Sequence, residues 1–294
     1  IDLTGKYVIP GLIDAHTHTW GDALKKALKF GVTTEIDMFT QTTFASQSRE
    51  QNNNNKLTKQ ADFFSAGTLV TSDGGHGTQY GFSIPTIATP EEAEKFVAAR
   101  LSEGSDFIKI VYHNEAKYGP FSSIDYETLE AVIKATQEKG KRAVVHVSHL
   151  QAAKEAVKAG ADGLVHIFTD KKVDQEFIDL IKHQKTFVIP TLSVIASMAK
   201  VNSKEFVAED GWLAQYMTAS DKNQIETGFD GFPATGNELA IAKYNVKTLF
   251  DAGVLILAGS DAPNPGTAHG ISLHGELWLL VESGLSPQQA LNSA

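Results

Sequence analysis

Apolar residues along this chain gather in short runs, and each run gives way to a longer stretch where apolar and charged positions alternate. Eight runs stand out: YVIPGLIDAHTH, VTTEIDMF, FFSAGTLVT, DFIKIVY, RAVVHV, DGLVHIF, TFVIPTL and VLILAGSD. Runs such as FVIPTL are apolar at consecutive positions, which suits strands buried on both faces, as parallel strands covered by helices are. Several of the segments between them, residues 90–103, 126–139 and 173–183, are amphipathic and carry acidic residues near their starts. Strand alternating with helix, eight times over, predicts an α/β protein with a (β/α)8 TIM barrel. An open doubly wound sheet has the same rhythm. Polar placement favours the barrel, because His16, His18, Lys109, His146, His166 and Asp261 fall at or just past the C-terminal ends of their runs. In a barrel those ends converge on one mouth.

Two stretches break the rhythm, residues 41–60 and 198–236. Both follow candidate strands and so belong to the mouth side. The second carries Trp212, Tyr216 and Phe229 and is long enough either to cover a substrate as a lid or to form a solvated excursion with a small local core.

Composition bears on partners more than on fold. Lys and Arg number 26 against 35 Asp and Glu, a formal net charge of −9 with no dense basic run. Nucleic acid and anionic membrane are therefore not expected partners. Cysteine is absent, which leaves His, Asp, Glu and modified Lys as possible metal ligands. No run reaches the roughly 18 apolar residues of a membrane-spanning helix, and no signal peptide opens the chain. Residues 1–7 (IDLTGKY) begin without Met and read as the tail of an earlier element, so a truncated start is expected and localisation stays open between cytoplasm and periplasm.

His16 and His18 lie two apart on a strand, so both imidazoles point to one face and can reach one ion. His146 and His166 repeat the pattern, each following apolar strand residues. Asp261, directly after a buried run, is either a helix cap or a metal ligand and general base. Lys109 sits among Phe107, Ile108, Ile110 and Val111, where a charged ammonium is costly. It either pairs with a carboxylate, sends its end to water, or has its pKa lowered until it reacts with carbon dioxide to form a carbamate.

The segments PGLIDAHTH, FIKI, VVHV, LVHIF and LAGSDAP, in this order and spacing, resemble the amidohydrolase superfamily, in its prolidase-like and imidazolonepropionase-like branch with a carboxylated lysine and two metals. ISLHGELWLLVESGLSPQQALNSA is similar to that family's last barrel helices. The resemblance implies a metal-dependent hydrolase of amide, peptide or other carbonyl-type bonds. It implies that His16, His18 and Asp261 bind one ion, that His146 and His166 bind the other, and that carboxylated Lys109 bridges both with a hydroxide. Two Zn2+ ions and a CO2-derived carbamate on Lys109 are the implied cofactors, and iron, manganese and cobalt share the donor set. Asp261 is also the implied catalytic proton carrier. His76 in DGGHGTQYG, Tyr112, His113 and His149 are expected substrate contacts, although a Gly-rich turn with one exposed His is often only a turn. His269 and His274 are expected to position loop and helix. Family members flank the barrel with a small β-sandwich, of which residues 1–7 are the expected remnant and residues 8–294 the barrel.

Two rivals stay in view. A mononuclear deaminase of the same superfamily places Glu three residues after the fifth-strand His, where this chain has His149. A barrel used only for binding or assembly would be expected to lose ligands. A small molecule is the expected partner, and a homo-oligomer remains open. Arginine occurs only at Arg49, Arg100 and Arg142, and none has an obvious mouth position, so no clamp for a substrate carboxylate is expected.

Overall fold

The computed structural model describes residues 2–54, 59–113, 121–201, 211–229 and 235–294. Its strands are β1 (Leu12–Thr17), β2 (Val32–Asp37), β3 (Asp62–Ser65), β4 (Ile108–Val111), β5 (Ala143–His146), β6 (Gly163–Val165) and β7 (Phe187–Ile189). All pair in parallel, β1-β2-β3 in one ladder and β4-β5-β6-β7 in another. Isolated parallel bridges link the two ladders at both edges, Val70 to Ile110 on one side, and Val188 to Ile256 and Thr17 to Ala262 on the other. Backbone hydrogen bonds thus run around an eight-membered ring, the parallel barrel that the alternation predicts.

The third and eighth runs depart from the expected continuous strands. FFSAGTLVT forms a ladder only to Ser65, because the chain turns through left-handed Gly67 (φ 62°) before Val70 rejoins at β4. VLILAGSD contributes bridges and single hydrogen bonds, Leu257 N to Val188 O at 2.9 Å and Ala15 N to Ala258 O at 2.9 Å. Its path passes so close to β1 that a Cβ on Gly259 would lie 2.8 Å from the His16 Cβ and 2.5 Å from Ile189. The first run pairs only from Leu12, leaving Tyr7 and Val8 exposed. The seventh stops before Pro190, which has no N–H to continue a ladder.

Helices cover the ring. Those that matter here are α1 (Ala23–Lys29), α2 (Thr42–Asn54), α3 (Ala93–Ser102), α4 (Tyr126–Glu138), α5 (Leu150–Lys158), α6 (Gln175–Gln184), α7 (Leu192–Met198), α8 (Ala219–Glu226), α9 (Glu238–Asp251), α10 (Ile271–Glu282) and α11 (Pro287–Leu291). Asp125 caps α4 by accepting from Thr128 N at 2.8 Å, and Asp174 caps α6 by accepting from Phe177 N at 2.9 Å. Each such cap stabilises by about 1 kcal/mol. Phe168 and Phe177 are fully buried between ring and helices, edge to face with centroids 5.4 Å apart.

The start of α7 is held from a distant part of the chain. Glu276 of α10 is completely buried and accepts from Leu192 N at 2.9 Å and Ser193 N at 2.7 Å. Burial pushes its carboxyl up to about 8, against the two N–H groups that favour the anion. A raised folded pKa means that this group's contribution is complete below its ordinary value and lost as pH rises through about 8. Glu276→Gln puts an amide N–H against a backbone N–H and is expected to destabilise by about 1–3 kcal/mol. The difference in Tm between wild type and variant should narrow as pH rises from 4.5 to about 8 and level off above that. A difference that stays flat over that range would mean that the native group is the carboxylate.

Candidate active site

His16 on β1, His18 just past it, Lys109 on β4, His146 ending β5, His166 after β6 and Asp261 on the eighth segment all line one cavity of about 230 Å³ at the C-terminal ends of the strands. The two-residue alternation of β1 sends His16 and His18 to the same side, with their rings 5.3 Å apart. His16 is fully buried, and Lys109 and Asp261 are 3% and 5% exposed.

His16, His166 and Asp261 bring one donor atom each within 4.8 Å of the others. Asp261 Oδ1 lies 3.2 Å from His16 Nε2 and 3.1 Å from His18 Nε2. The ring of His146 lies 4.5 Å from that of His166. His166 therefore stands between the His16–His18–Asp261 side and His146. Its Nδ1 shares a 2.7 Å hydrogen bond with the Thr191 hydroxyl, which commits that nitrogen and leaves Nε2 for a ligand.

Both ring nitrogens of His16 and Oδ1 of Asp261 are buried without a hydrogen-bond partner, despite their close approach. Lone pairs facing one another in a buried site are expensive unless something cationic lies between them. Burial holds His16 down at about 3 and His146 and His166 well below the ordinary imidazole range, so the rings are neutral, the form that ligates metal. Burial works to raise Asp261, but the neighbouring His16, His18 and His166 outweigh it and keep the carboxylate ionised. Burial lowers Lys109 to about 7, with Asp261 and Asp37 acting in the opposite direction. Lys109 makes no ion pair with the described residues.

The backbone is bent to make this arrangement. His166 (φ 68°), Thr191 (φ 52°) and Asp261 (φ 56°) are all left-handed non-glycine residues, a conformation costing about 1–3 kcal/mol each and concentrated at functional sites.

The expected substrate contacts separate. His76 lines the cavity, its ring stacked on His146 at 5.3 Å, and burial lowers it to about 4. His113 lies against His146 at 4.9 Å and bonds Ser148 Oγ at 3.1 Å. Tyr112 lies elsewhere, buried in the core with its hydroxyl donating to Glu155 at 2.5 Å. This placement does not fit the expected substrate contact, because strand alternation turns Tyr112 outward to α5 while Lys109 and Val111 face in. His149 precedes α5, beside Ser148, and is not part of the cavity wall. His269 pairs with buried Glu35 at 2.9 Å, and His274 Nε2 bonds the Phe30 carbonyl at 2.8 Å. From residues 198–236, Met198 and Phe229 line the cavity, while Gln224 donates to the carbonyls of Pro263 (2.9 Å) and Asn264 (2.8 Å). Tyr216 is exposed, and the Trp212 side chain lies outside the described residues.

One polar group escaped sequence reasoning. Asp37, at the end of β2, accepts from Thr19 N (2.7 Å), Thr19 Oγ1 (3.0 Å) and Ser65 Oγ (2.6 Å), and burial raises it to about 6. Its position at a strand end matches that of Asp261 and was the available signal.

Among solved structures, a Xaa-Pro dipeptidase with methionine bound in its active site superimposes with a TM-score of 0.75 at 24% identity, covering 97% of this chain and 73% of that one. A prolidase candidate from Bifidobacterium longum gives 0.71 at 23%, covering 97% and 67%. Ochratoxinase from A. niger gives 0.70 at 18%, covering 97% and 69%. These likenesses concern the fold. A sequence comparison with curated proteins returns no match. The profile of the Amidohydrolase family matches residues 7–294. The chain belongs to the Amidohydrolase family and is a hydrolase acting on carbon–nitrogen bonds.

Proposed function

We propose that the chain is a metal-dependent hydrolase of amide or peptide bonds in small molecules, built for two divalent ions, zinc first among them. The observation that carries this reading is the convergence of six donors from five elements on one cavity, with orphaned buried atoms on His16 and Asp261. His16, His18 and Asp261 would hold one ion, His146 and His166 the other, and Lys109, as a carbamate, would bridge them. When bound, such ions supply a nucleophile near neutral pH and polarise the scissile carbonyl.

The protein's own groups do the rest. Asp261, ionised and beside the reacting centre, takes the proton of the attacking water and passes it to the departing nitrogen. Neutral His76 can donate a hydrogen bond to the carbonyl oxygen as it gains charge. Thr191 fixes the ring of His166. Residues 198–236 serve as the cover of the mouth, a role supported by Met198 and Phe229 in the cavity wall and by the Gln224 contacts to the loop after Asp261.

Metal analysis of purified protein tests the reading together with hydrolysis of N-acyl amino acids, cyclic amides, carbamates and lactones. About two ions per chain are expected. Zinc at about 100 times its Kd should stabilise the fold by about 2.7 kcal/mol, read as a rise in Tm. Chelation should remove ions and turnover together. Turnover with one ion per chain would install the mononuclear mechanism, and no bound metal with no turnover would leave a binding module.

A further inference from the structure

A second cavity of about 650 Å³ opens beside the first and shares His18, Tyr80 and Asn264 with it. Its walls are rings from three places in the chain: Trp20 after β1, Phe39 and Phe44 after β2, and Tyr80 and Phe82 after β3. Phe39 stacks on Phe82 at 5.8 Å and meets Tyr80 at 5.9 Å. Trp20, Tyr80 and Phe82 remain 56%, 48% and 37% exposed, whereas Phe39 and Phe44 also pack on the core and form the floor. Ligand sites of about 300–1,000 Å³ hold whole small molecules. At 230 Å³ the first cavity has room for a reacting group and little more.

The wall is also uncharged. Among the described residues its polar side chains are His18, Thr40, Gln41 and Asn264, with the Tyr80 hydroxyl and the Trp20 indole N–H, and it has no Asp, Glu, Lys or Arg. The arginines are engaged elsewhere, Arg49 with Asp106, Arg100 with Glu103 and Arg142 with Asp162. A carboxylate entering here would lose part of its hydration and find no cation among the described wall residues in exchange. A planar apolar group would gain ring contacts on several sides.

We propose that this second cavity binds an uncharged aryl or aralkyl substituent of the substrate while the scissile amide sits in the first. The proposal rests on the hydrolytic reading of the first cavity, so its test has one arm that needs no turnover. N-benzylacetamide, a neutral probe, is titrated into the metal-loaded protein and followed by tryptophan fluorescence. Saturable quenching is expected, with the signal lost in Trp20→Phe, affinity lowered roughly tenfold or more in Phe82→Asp, and much weaker binding of the ring-carboxylated probe. In the kinetic arm, amides of one amine carrying acetyl, phenylacetyl or succinyl groups are compared. The phenylacetyl-to-acetyl ratio of kcat/KM should be roughly 10–100, with succinyl no better than acetyl, and should fall toward one in Phe82→Asp. Hydrolysis with a ratio near one and no saturable quenching overturns the cavity assignment and leaves the hydrolase reading intact. Equal binding of the carboxylated probe also overturns it. Saturable, Phe82-dependent quenching in a metal-loaded protein that hydrolyses no amide supports the cavity and sinks the hydrolytic reading instead.

Discussion

Lys109→Ala is expected to lower kcat by roughly a thousandfold, about 4 kcal/mol of barrier, and to reduce bound metal from two ions per chain to one or none. Lys109 lies on β4, nearly buried, at the wall of the cavity that also holds five histidines and Asp261, and no described carboxylate pairs with it. Burial lowers Lys109 to about 7, and on the proposed reading its neutral amine would add carbon dioxide, release one proton to solvent, and become an anion that the proposed ions would stabilise. Modification and metal binding should then depend on each other, so chelation should release both. Short-chain carboxylic acids added to Lys109→Ala should restore part of the activity, because a free carboxylate fits the vacated place between the ions. Near-normal turnover by the variant, or full metal content without activity, would show that the bridge is not needed.

Asp261→Asn should lose roughly a hundred- to ten-thousandfold in kcat, the range of a positioned general base or acid, while remaining folded. The fold has little stake in this side chain. The backbone of Asp261 makes the local bonds, its N–H donating to the His16 carbonyl at 2.8 Å and its own carbonyl accepting from Asn264 Nδ2 at 2.9 Å and Thr267 Oγ1 at 3.2 Å. Circular dichroism and Tm of the metal-free variant are therefore expected to stay close to those of metal-free wild type. Weakened metal binding is a second effect, separated by measuring kcat at saturating zinc. An Asn variant that keeps wild-type kcat under those conditions would move the proton-carrying role to another group, His76 being the next nearest candidate.

The histidines and Asp261 could be read from the sequence because each closes an apolar run, and strand ends in a parallel barrel share one side. Interior polar partners were harder to see. Asp14 accepts from Ser260 N and Oγ, and Glu35 pairs with His269, contacts that span 246 and 234 residues. No local period marks such pairs. VTTEIDMF nevertheless carried a warning, since two acids in a run meant for a barrel interior require buried partners. Tyr112 was misplaced because its nearness in sequence to Lys109 hid the alternation that turns it toward α5. The aromatic cavity was invisible for a further reason: its five rings follow three different strands, one of them, Phe44, on α2, and only the closed ring of strands brings those segments together.

The left-handed residues of the mouth bear on heat tolerance. Among the described residues, five non-glycine positions have positive φ: His166, Thr191 and Asp261 belong to the site, and Lys185 and Lys200 lie elsewhere. The barrel beneath buries its acids Asp14 and Glu35 with hydrogen-bond partners, whereas the rim holds unfavourable backbone and partnerless polar atoms together. On the proposed reading, ions bound there would offset that burden, and their loss would return it to the loops alone. Heat inactivation of turnover is therefore expected to follow metal supply at the rim, which scans of activity and of unfolding with and without added zinc would check.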